Sequence, residues 1–411
     1  MTFLGESLLN KYENPAIVIG GGVNGLGIIR NLGRKGVEVY SVVDEKDHSV
    51  HSKYCKDYFV LPGVGHDFHK LETFLAKFEH ELIRKAVLFP TSDMAAINVS
   101  SLIGEMDKYV ACISDREVIE TLVRKKRFYH SLINRGVPHP RTLFPGEKES
   151  LTNIEDEVVF PVFVKPSVSQ TFAMRFGRKG FVANSKEELN RYLSLMDKNQ
   201  IDVMVQEIVA GPPTNHYFID GYFDRNSRLL AIFARRRLRM WPLDFGNSTT
   251  CVSVPISEVV DMKETIIKYL ASIGFRGIFS AEFKRDSRDN VGKLLEVNAR
   301  SWWFNSFPSA CGVNIIFTAY LEAIGEVPEN SGDYETGKYL IYFIEDLKCS
   351  IPMSIQGKLS FREWVSPMLG KKDWVIFAND DLRPFVMNLL QTLKDTVKQR
   401  KKIAAMTSKK N

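Results

Sequence analysis

Two glutamates, an asparagine and an arginine stand at spacings suited to metal and phosphate chemistry. Glu282 precedes the run Glu296-Val297-Asn298-Ala299-Arg300 by fourteen residues. Both acids lie in strand-like text, 278–283 and 293–298, joined by the turn-rich segment 284–292 as a hairpin would be. Side chains alternate along a strand, so Glu296, Asn298 and Arg300 point one way, and pairing the strands would bring Glu282 beside them. Two carboxylates and an amide oxygen are hard ligands suited to Mg²⁺ bridging a polyphosphate, with the guanidinium steadying negative charge. An ordinary hairpin with a solvated face of mixed charge is the plainer alternative, and the residues upstream decide between the two.

Upstream, Lys125 opens a basic run, and Lys165 ends the strand-like text 160–165. Lysine on a rigid element is a compact charge suited to phosphate oxygens. Segment 167–180 carries small residues with Gly177 and Gly180, and can close over phosphates through its backbone N–H groups. Gln206-Glu207-Ile208-Val209 ends another apolar strand, where backbone groups can meet the edge of an adenine ring. In 229–240 a strand would place Arg235, Arg237 and Arg239 on one face, facing nucleotide phosphates or an anionic substrate. A solvated cationic face is the competing account of those arginines. The polar loop 244–250 is a candidate for substrate contacts, and Trp302-Trp303-Phe304 is expected to form core, with a pocket wall as the alternative.

These residues need elements to hold them. Residues 15–115 alternate strand and helix: an apolar strand at 16–20, a helix at 26–35, a strand at 37–43, a helix at 68–84 and a strand at 86–90. Such alternation implies a parallel sheet with right-handed crossovers. Gly20-Gly21-Gly22-Val23-Asn24-Gly25 meets the G-x-G-x-x-G pattern between strand and helix, with Asp44 after the second strand, as an NAD site would. The glycines serve equally well for a tight turn. A second unit begins near 116, with a helix at 125–135, strands at 158–165 and 203–208, and a helix at 185–196 between them. Past 330 a strand is expected over 338–348 and an amphipathic helix at 383–400, striped by Phe385, Val386, Leu389, Leu390, Leu393 and Val397.

The order lysine, Phe160-Pro161-Val162-Phe163-Val164-Lys165-Pro166, glycine-bearing loop, Gln206-Glu207, Glu282 and Glu296-Val297-Asn298-Ala299-Arg300 resembles the ATP-grasp superfamily from about 116 to 325. The resemblance implies an α/β and α+β chain: a Rossmann-like companion domain at 1–115 and a two-subdomain ATP-grasp domain at 116–330. Its lid would span about 125–205 and its catalytic subdomain about 206–330, with a C-terminal extension at 331–411. It also implies that Lys125, Lys165 and Arg237 meet phosphates while Gln206, Glu207, Ile208 and Val209 border the adenine of ATP. Glu282, Glu296 and Asn298 would hold Mg²⁺ or Mn²⁺, and Arg300, with Lys165, would stabilise the acyl phosphate of a carboxylate–amine ligase. One departure stands out. Many relatives place an acid shortly after the hinge for the ribose, whereas Gly211-Pro212-Pro213-Thr214-Asn215-His216 has none, leaving Asn215 or His216 to substitute. A bicarbonate-activating enzyme of the biotin carboxylase type, or an NAD-dependent oxidoreductase on the glycine loop, are the alternatives.

The bulk composition bounds the rest. The chain has 411 residues, 44% hydrophobic and 25% charged, which suits a globular protein of two or three domains. No apolar run approaches the roughly 18 residues needed to span a bilayer. The start, Met1-Thr2-Phe3-Leu4-Gly5-Glu6-Ser7, lacks the form of a signal peptide, so a cytoplasmic location is expected. Five scattered cysteines point to reduced thiols and away from a disulfide framework or zinc site. His48/His51 and His66/His69 have ligand-like spacing but no third partner, so surface histidines are expected. From Lys394 onward seven basic residues face one acid, which accounts for the whole net charge of +6. The body is therefore neutral and no nucleic-acid partner is implied. The basic tail could touch an anionic membrane, but such a stripe more often docks on its own protein and one short basic segment binds weakly. The partners implied are a small-molecule carboxylate and an amine, and a homodimer is compatible with the sequence.

Overall fold

The computed structural model describes residues 12–147, 158–167, 172, 176, 180–243, 246–328 and 333–407, with side chains of the last helix to Asp395. Most of the candidate lid loop 167–180, Asp244 and Phe245 of the polar loop, residues 1–11 and the end of the basic tail lie outside the described residues. The chain groups into two units, each discontinuous in sequence. One comprises Met1–Cys112, Arg300–Asn330 and Asp373–Asn411, and the other Ile113–Ala299 and Ser331–Lys372. The crossings at 112/113 and 330/331 fall close to the boundaries read from the sequence, whereas those at 299/300 and 372/373 escape a linear reading.

In the first unit, strands β1 (Ala16–Ile19), β2 (Val39–Val43), β3 (Asp57–Val60), β4 (Ala86–Pro90) and β5 (Tyr109–Val110) form a parallel sheet in the order β3-β2-β1-β4-β5. The four residues of β1 are fully buried, as expected for a parallel strand covered on both faces. Helix Gly22–Gly33 follows β1 so closely that a Cβ on Gly25 would stand 2.9 Å from the Gly20 carbonyl oxygen. The start of that helix is already met by the protein's own carboxylate. Gly22 N–H donates to Asp47 Oδ2 at 2.7 Å, and the N–H and hydroxyl of Ser49 donate to Oδ1 at 2.7 and 2.6 Å. Asp44, the residue expected on a ribose, accepts from Gly63 N–H at 2.7 Å.

The later segments of this unit are tied to the same helix. Arg30 donates to Asp381 Oδ2 at 3.0 Å and to the Ile376 carbonyl at 2.8 Å. Trp302 and Phe304 are buried as expected, whereas Trp303 is 47% exposed. Two further expectations fail here, the second of them in part. His48 is buried, with its Nε2 lacking a partner, because the turn at Asp47 folds it inward. The stripe of helix Arg383–Thr407 is docked only at its start: the Phe385 ring packs edge-on against Phe377, centroids 5.4 Å apart, whereas Val386, Leu389, Leu390 and Leu393 are 43–56% exposed and the side chain of Val397 lies outside the described residues. Among the described residues no helix is long and apolar enough to cross a membrane.

The second unit holds two antiparallel sheets. The smaller contains β6 (Thr142–Leu143), β7 (Val162–Pro166), β8 (Phe181–Ala183) and β9 (Val203–Glu207) in the order β6-β9-β7-β8. Its inner face packs Val162, Val164 and Val205 against Leu189 and Met196 of helix Lys186–Lys198. Ser185 starts that helix by accepting from Glu188 N–H, the usual role of serine at an N-cap. The larger sheet contains β10 (His216–Phe223), β11 (Leu229–Trp241), β12 (Asn247–Ser253), β13 (Gly277–Arg285), β14 (Gly292–Asn298) and β15 (Tyr339–Ile341), running β14-β13-β10-β11-β12-β15. Strand β15 is shorter than its apolar text: Phe343–Ile355 turns helical, a choice that a six-residue apolar run does not determine. That helix brings Asp346 under the sheet.

Candidate active site

The hairpin β13–β14 sets Glu282 directly opposite Glu296 and Ser280 opposite Asn298. Glu282, Glu296 and Asn298 therefore share one face of the sheet, since paired positions lie on the same side and alternate positions repeat it. Glu296 is exposed, and Glu282 and Asn298 are partly so. Like charges directly across a ladder repel, and a divalent cation between them would relieve that repulsion. Among the described residues no three His, Cys, Asp or Glu side chains gather as a metal site. The donor set is instead two carboxylates and an amide oxygen, which suits a hydrated Mg²⁺ completed by phosphate oxygens.

Glu282 is fixed from its own sheet. Arg237 of β11 donates to its Oε1 at 3.0 Å, and His216 Nδ1 of β10 lies 2.7 Å from the same oxygen. Burial alone would raise the Glu282 carboxyl, but Arg237 and the His216 hydrogen bond more than reverse this and hold it well below the usual range. It is an anion at neutral pH. Burial, only partly offset by Glu282, holds the His216 ring below its ordinary value, so the imidazole is neutral there.

The three arginines of β11 do share a face, but that face is buried and each meets a carboxylate. Arg235 donates to Asp220 at 2.7 Å and lies 3.9 Å from the Phe218 ring centroid; Arg237 donates to Ser248 as well as to Glu282; Arg239 donates to Asp346 at 2.8 and 3.0 Å. The alternative of a solvated cationic face is thus overturned. Three unpaired guanidinium groups could not be buried side by side, and the acids that partner them come from three different elements. Sequence patterning gives no sign of such partners.

Hinge residues follow β9. Gln206 is 3% exposed and is held at both ends: Lys165 Nζ donates to its Oε1 at 2.7 Å and its Nε2 donates to Thr142 at 2.8 Å. Glu207 accepts from Lys293 of β14 at 2.8 Å and from Arg288 at 3.3 Å, which ties the small sheet to the hairpin. Ile208 is half-buried and Val209 buried, and the Val209 carbonyl accepts from Lys284 Nζ at 2.7 Å. Burial, with Arg237 nearby, holds the Lys284 ammonium below its usual value. Lys284 and His216 are site residues that motif reading passes over; their signal is the register that places them opposite one another.

Lys125 is the first residue of helix Lys125–Asn134, anchored to the hairpin by Tyr129, whose hydroxyl donates to the Leu295 carbonyl at 2.9 Å. Lys165 lies 6.0 Å from the Tyr129 ring centroid. Lys165, Gln206, Tyr129 and β14 thus form one connected set within the second unit. Arg300 belongs to the first unit. There its Nε donates to Asp93 Oδ1 at 2.7 Å and its Nη1 to the Ser301 carbonyl at 2.7 Å.

Comparison with known proteins follows this geometry. N5-carboxyaminoimidazole synthetase from Staphylococcus aureus, solved with ADP, is similar at a TM-score of 0.62 and 17% identity, over 80% of this chain and 82% of that one. The biotin carboxylase domain of 2-oxoglutarate carboxylase from Hydrogenobacter thermophilus, solved with MgADP, ADP and bicarbonate, gives 0.61 and 17% over 79% and 73%. The L-amino acid ligase of Bacillus licheniformis gives 0.58 and 13% over 76% and 75%. By sequence, the C-terminal section of the carbamoyl phosphate synthase large chain of Methanopyrus kandleri is 22% identical over 194 residues, 46% of this chain and 34% of that one. The corresponding large chain of Saccharolobus islandicus is 24% identical over 224 residues, 53% of this chain and 20% of its own length. The chain therefore spans only about a third and a fifth of these two curated relatives. No family model matches. The chain thus shares the fold of these ATP-grasp enzymes.

Proposed function

We propose that this protein is an ATP-dependent ligase that activates a substrate carboxylate as an acyl phosphate for attack by an amine, releasing ADP and phosphate. The observation that carries the proposal is the β13–β14 pair of Glu282 and Glu296, with Asn298 on the same face, in a unit whose hinge strand is linked to that hairpin. The names of the similar proteins support it, since they include a synthetase, an amino acid ligase and carbamoyl phosphate synthases.

In this reading Glu282, Glu296 and Asn298 hold Mg²⁺ or Mn²⁺, which when bound would offset charge on the β- and γ-phosphates. Lys125 and Lys165 meet the phosphates as the γ-phosphoryl group passes to the carboxylate. Gln206, Glu207, Ile208 and Val209 border the adenine, Gln206 by holding Lys165 and the strand end. Arg237 keeps Glu282 ionised and oriented, and meets phosphate only by sharing its guanidinium with that glutamate. Arg300 stabilises the acyl phosphate and the tetrahedral species that the amine forms from it, exchanging its contact with Asp93 to do so. The glycine loop of the first unit is a poor dinucleotide cradle, because Asp47 occupies the N–H that a pyrophosphate would need.

The test is a screen of acid–amine pairs, bicarbonate among the acids, for ADP formation by purified protein. ADP is expected only with both substrates and a divalent cation, and a Glu296→Gln variant should lose it. A variant that forms ADP as fast as the parent would sink the site assignment. In parallel, Mg-ATP should raise the melting temperature of the parent and NAD should not.

A further inference from the structure

The last helix of the first unit carries a row of aliphatic side chains that the protein leaves open. Val386 N–H donates to the Leu382 carbonyl at 3.2 Å, so Leu382 sits at the opening turn of helix Arg383–Thr407. Counting from Leu382, Val386, Leu389, Leu390 and Leu393 follow at four, seven, eight and eleven residues, the spacing of a single helical face. All five are half-exposed. Elsewhere in this unit the exposed large apolar side chains among the described residues stand singly, as Val60, Ile83, Met94, Trp303 and Val327. Scattered ones are ordinary on a protein surface, whereas a continuous row marks a surface that something covers. The base of the helix is firmly held, by Phe385 against Phe377 and by Arg30 on Asp381 just before it.

Charge selects the occupant. Lys394, exposed and next in sequence to Leu393, begins a stretch in which seven basic residues face the single acid Asp395. The row thus runs directly into a strongly cationic segment, and its complement is apolar and anionic at once. A second copy of this chain would bring the same positive charge to the contact. Nucleic acid offers nothing to an aliphatic row, and no aromatic residue follows Phe385 to stack on bases. The headgroup region of an anionic bilayer supplies both halves: acyl chains for the leucines and negative charge for the lysines and arginines. Among the described residues no helix is apolar enough to cross a membrane, which leaves a helix lying along the surface.

We propose that the face formed by Leu382, Val386, Leu389, Leu390 and Leu393, with the basic residues that follow it, docks on an anionic lipid surface. A basic segment alone binds such a surface only marginally; an apolar row joined to it supplies the second signal that makes binding stable. The proposal goes beyond the ATP reading and does not depend on it.

The experiment sediments the purified full chain with vesicles of phosphatidylcholine alone and of phosphatidylcholine mixed with phosphatidylglycerol. The parent should pellet with the mixed vesicles and not with the neutral ones, and should be released as salt rises from ~0.1 to ~0.5 M. Leu390→Gln/Leu393→Gln should weaken binding by about 10-fold or more, through the apolar area it removes. Lys394→Gln should weaken it about 5-fold, the share of one basic residue at such a surface. Should the leucine variant not fold, Lys394→Gln and the salt response carry the test. A parent that pellets with neither vesicle, or equally with both, overturns the proposal. So does a leucine variant that binds as the parent does, since the basic segment would then act alone. Ultracentrifugation without lipid covers the rival occupant: a parent dimer that the leucine variant turns into a monomer would assign the face to a second copy. ADP formation in the acid–amine screen can succeed or fail without touching any of these outcomes.

Discussion

Asp346 offers the sharpest test of how the larger sheet is held. Its carboxylate is fully buried and accepts from Arg239 Nε and Nη2 at 2.8 and 3.0 Å, Thr249 and Thr250 at 2.7 Å each, Ser350 at 3.3 Å and Trp364 Nε1 at 3.0 Å. Asp346→Ala would leave the Arg239 guanidinium, 6% exposed, without its counter-charge. Removing one partner of a buried ion pair costs about 3–5 kcal/mol, and water entering the vacated space would bring the loss toward the lower figure. An Arg239→Met/Asp346→Leu double variant removes both charges, so it should be more stable than Asp346→Ala alone. Burial alone would raise this carboxyl, but Arg239 and the two threonines hold it below its ordinary value. Its contribution is therefore present above the unfolded value of about 4 and fades as the pH falls further. Urea unfolding followed by tryptophan fluorescence at pH 7 and pH 3.5 reads all of this. An Asp346→Ala variant within about 1 kcal/mol of the parent at pH 7 would refute the argument, as would a double variant as unstable as the sum of its single changes.

The first unit supplies two further expectations. Asp47→Ala removes the acceptor at the start of helix Gly22–Gly33 and should cost about 1 kcal/mol, read as a fall of a few degrees in melting temperature. If NAD raises the melting temperature of the parent, the argument that Asp47 fills the cradle is wrong. His48 is pushed below its ordinary value by burial, with Asp47 only partly opposing. The unfolded chain then binds the extra proton below about pH 6.5, so stability should decline as the pH falls from 6.5 to 5.5. His48→Phe should flatten that part of the profile, and an unchanged slope would exclude His48 as its source.

What could be read from the sequence was local. β1, β2 and β4 fall where their apolar runs predict, and the 282/296 pairing follows from strand text on either side of a turn. The acids that meet the β11 arginines could not be read, because Asp220, Glu282 and Asp346 come from three separate elements and only the assembled sheet brings them together. The same limit applies at the hinge: Lys284 and His216 are ordinary letters until register sets them face to face. The docked stripe expected over 385–397 is covered only at Phe385 among the described residues, since periodicity reports a helix face but not how much of it is covered.

Both units are assembled from separated stretches of chain, and this has a consequence for how the protein is made. The first unit needs Arg300–Asn330 and then Asp373–Asn411, and the second is completed only by Ser331–Lys372. A ribosome delivering residues 1–112 and 113–299 has therefore still to supply distant downstream stretches before either unit holds its full set of contacts. Until then β12 waits without β15, and Arg30 without Asp381. The unpaired edge of β12 is then the place where an unfinished chain is most prone to wrong pairing.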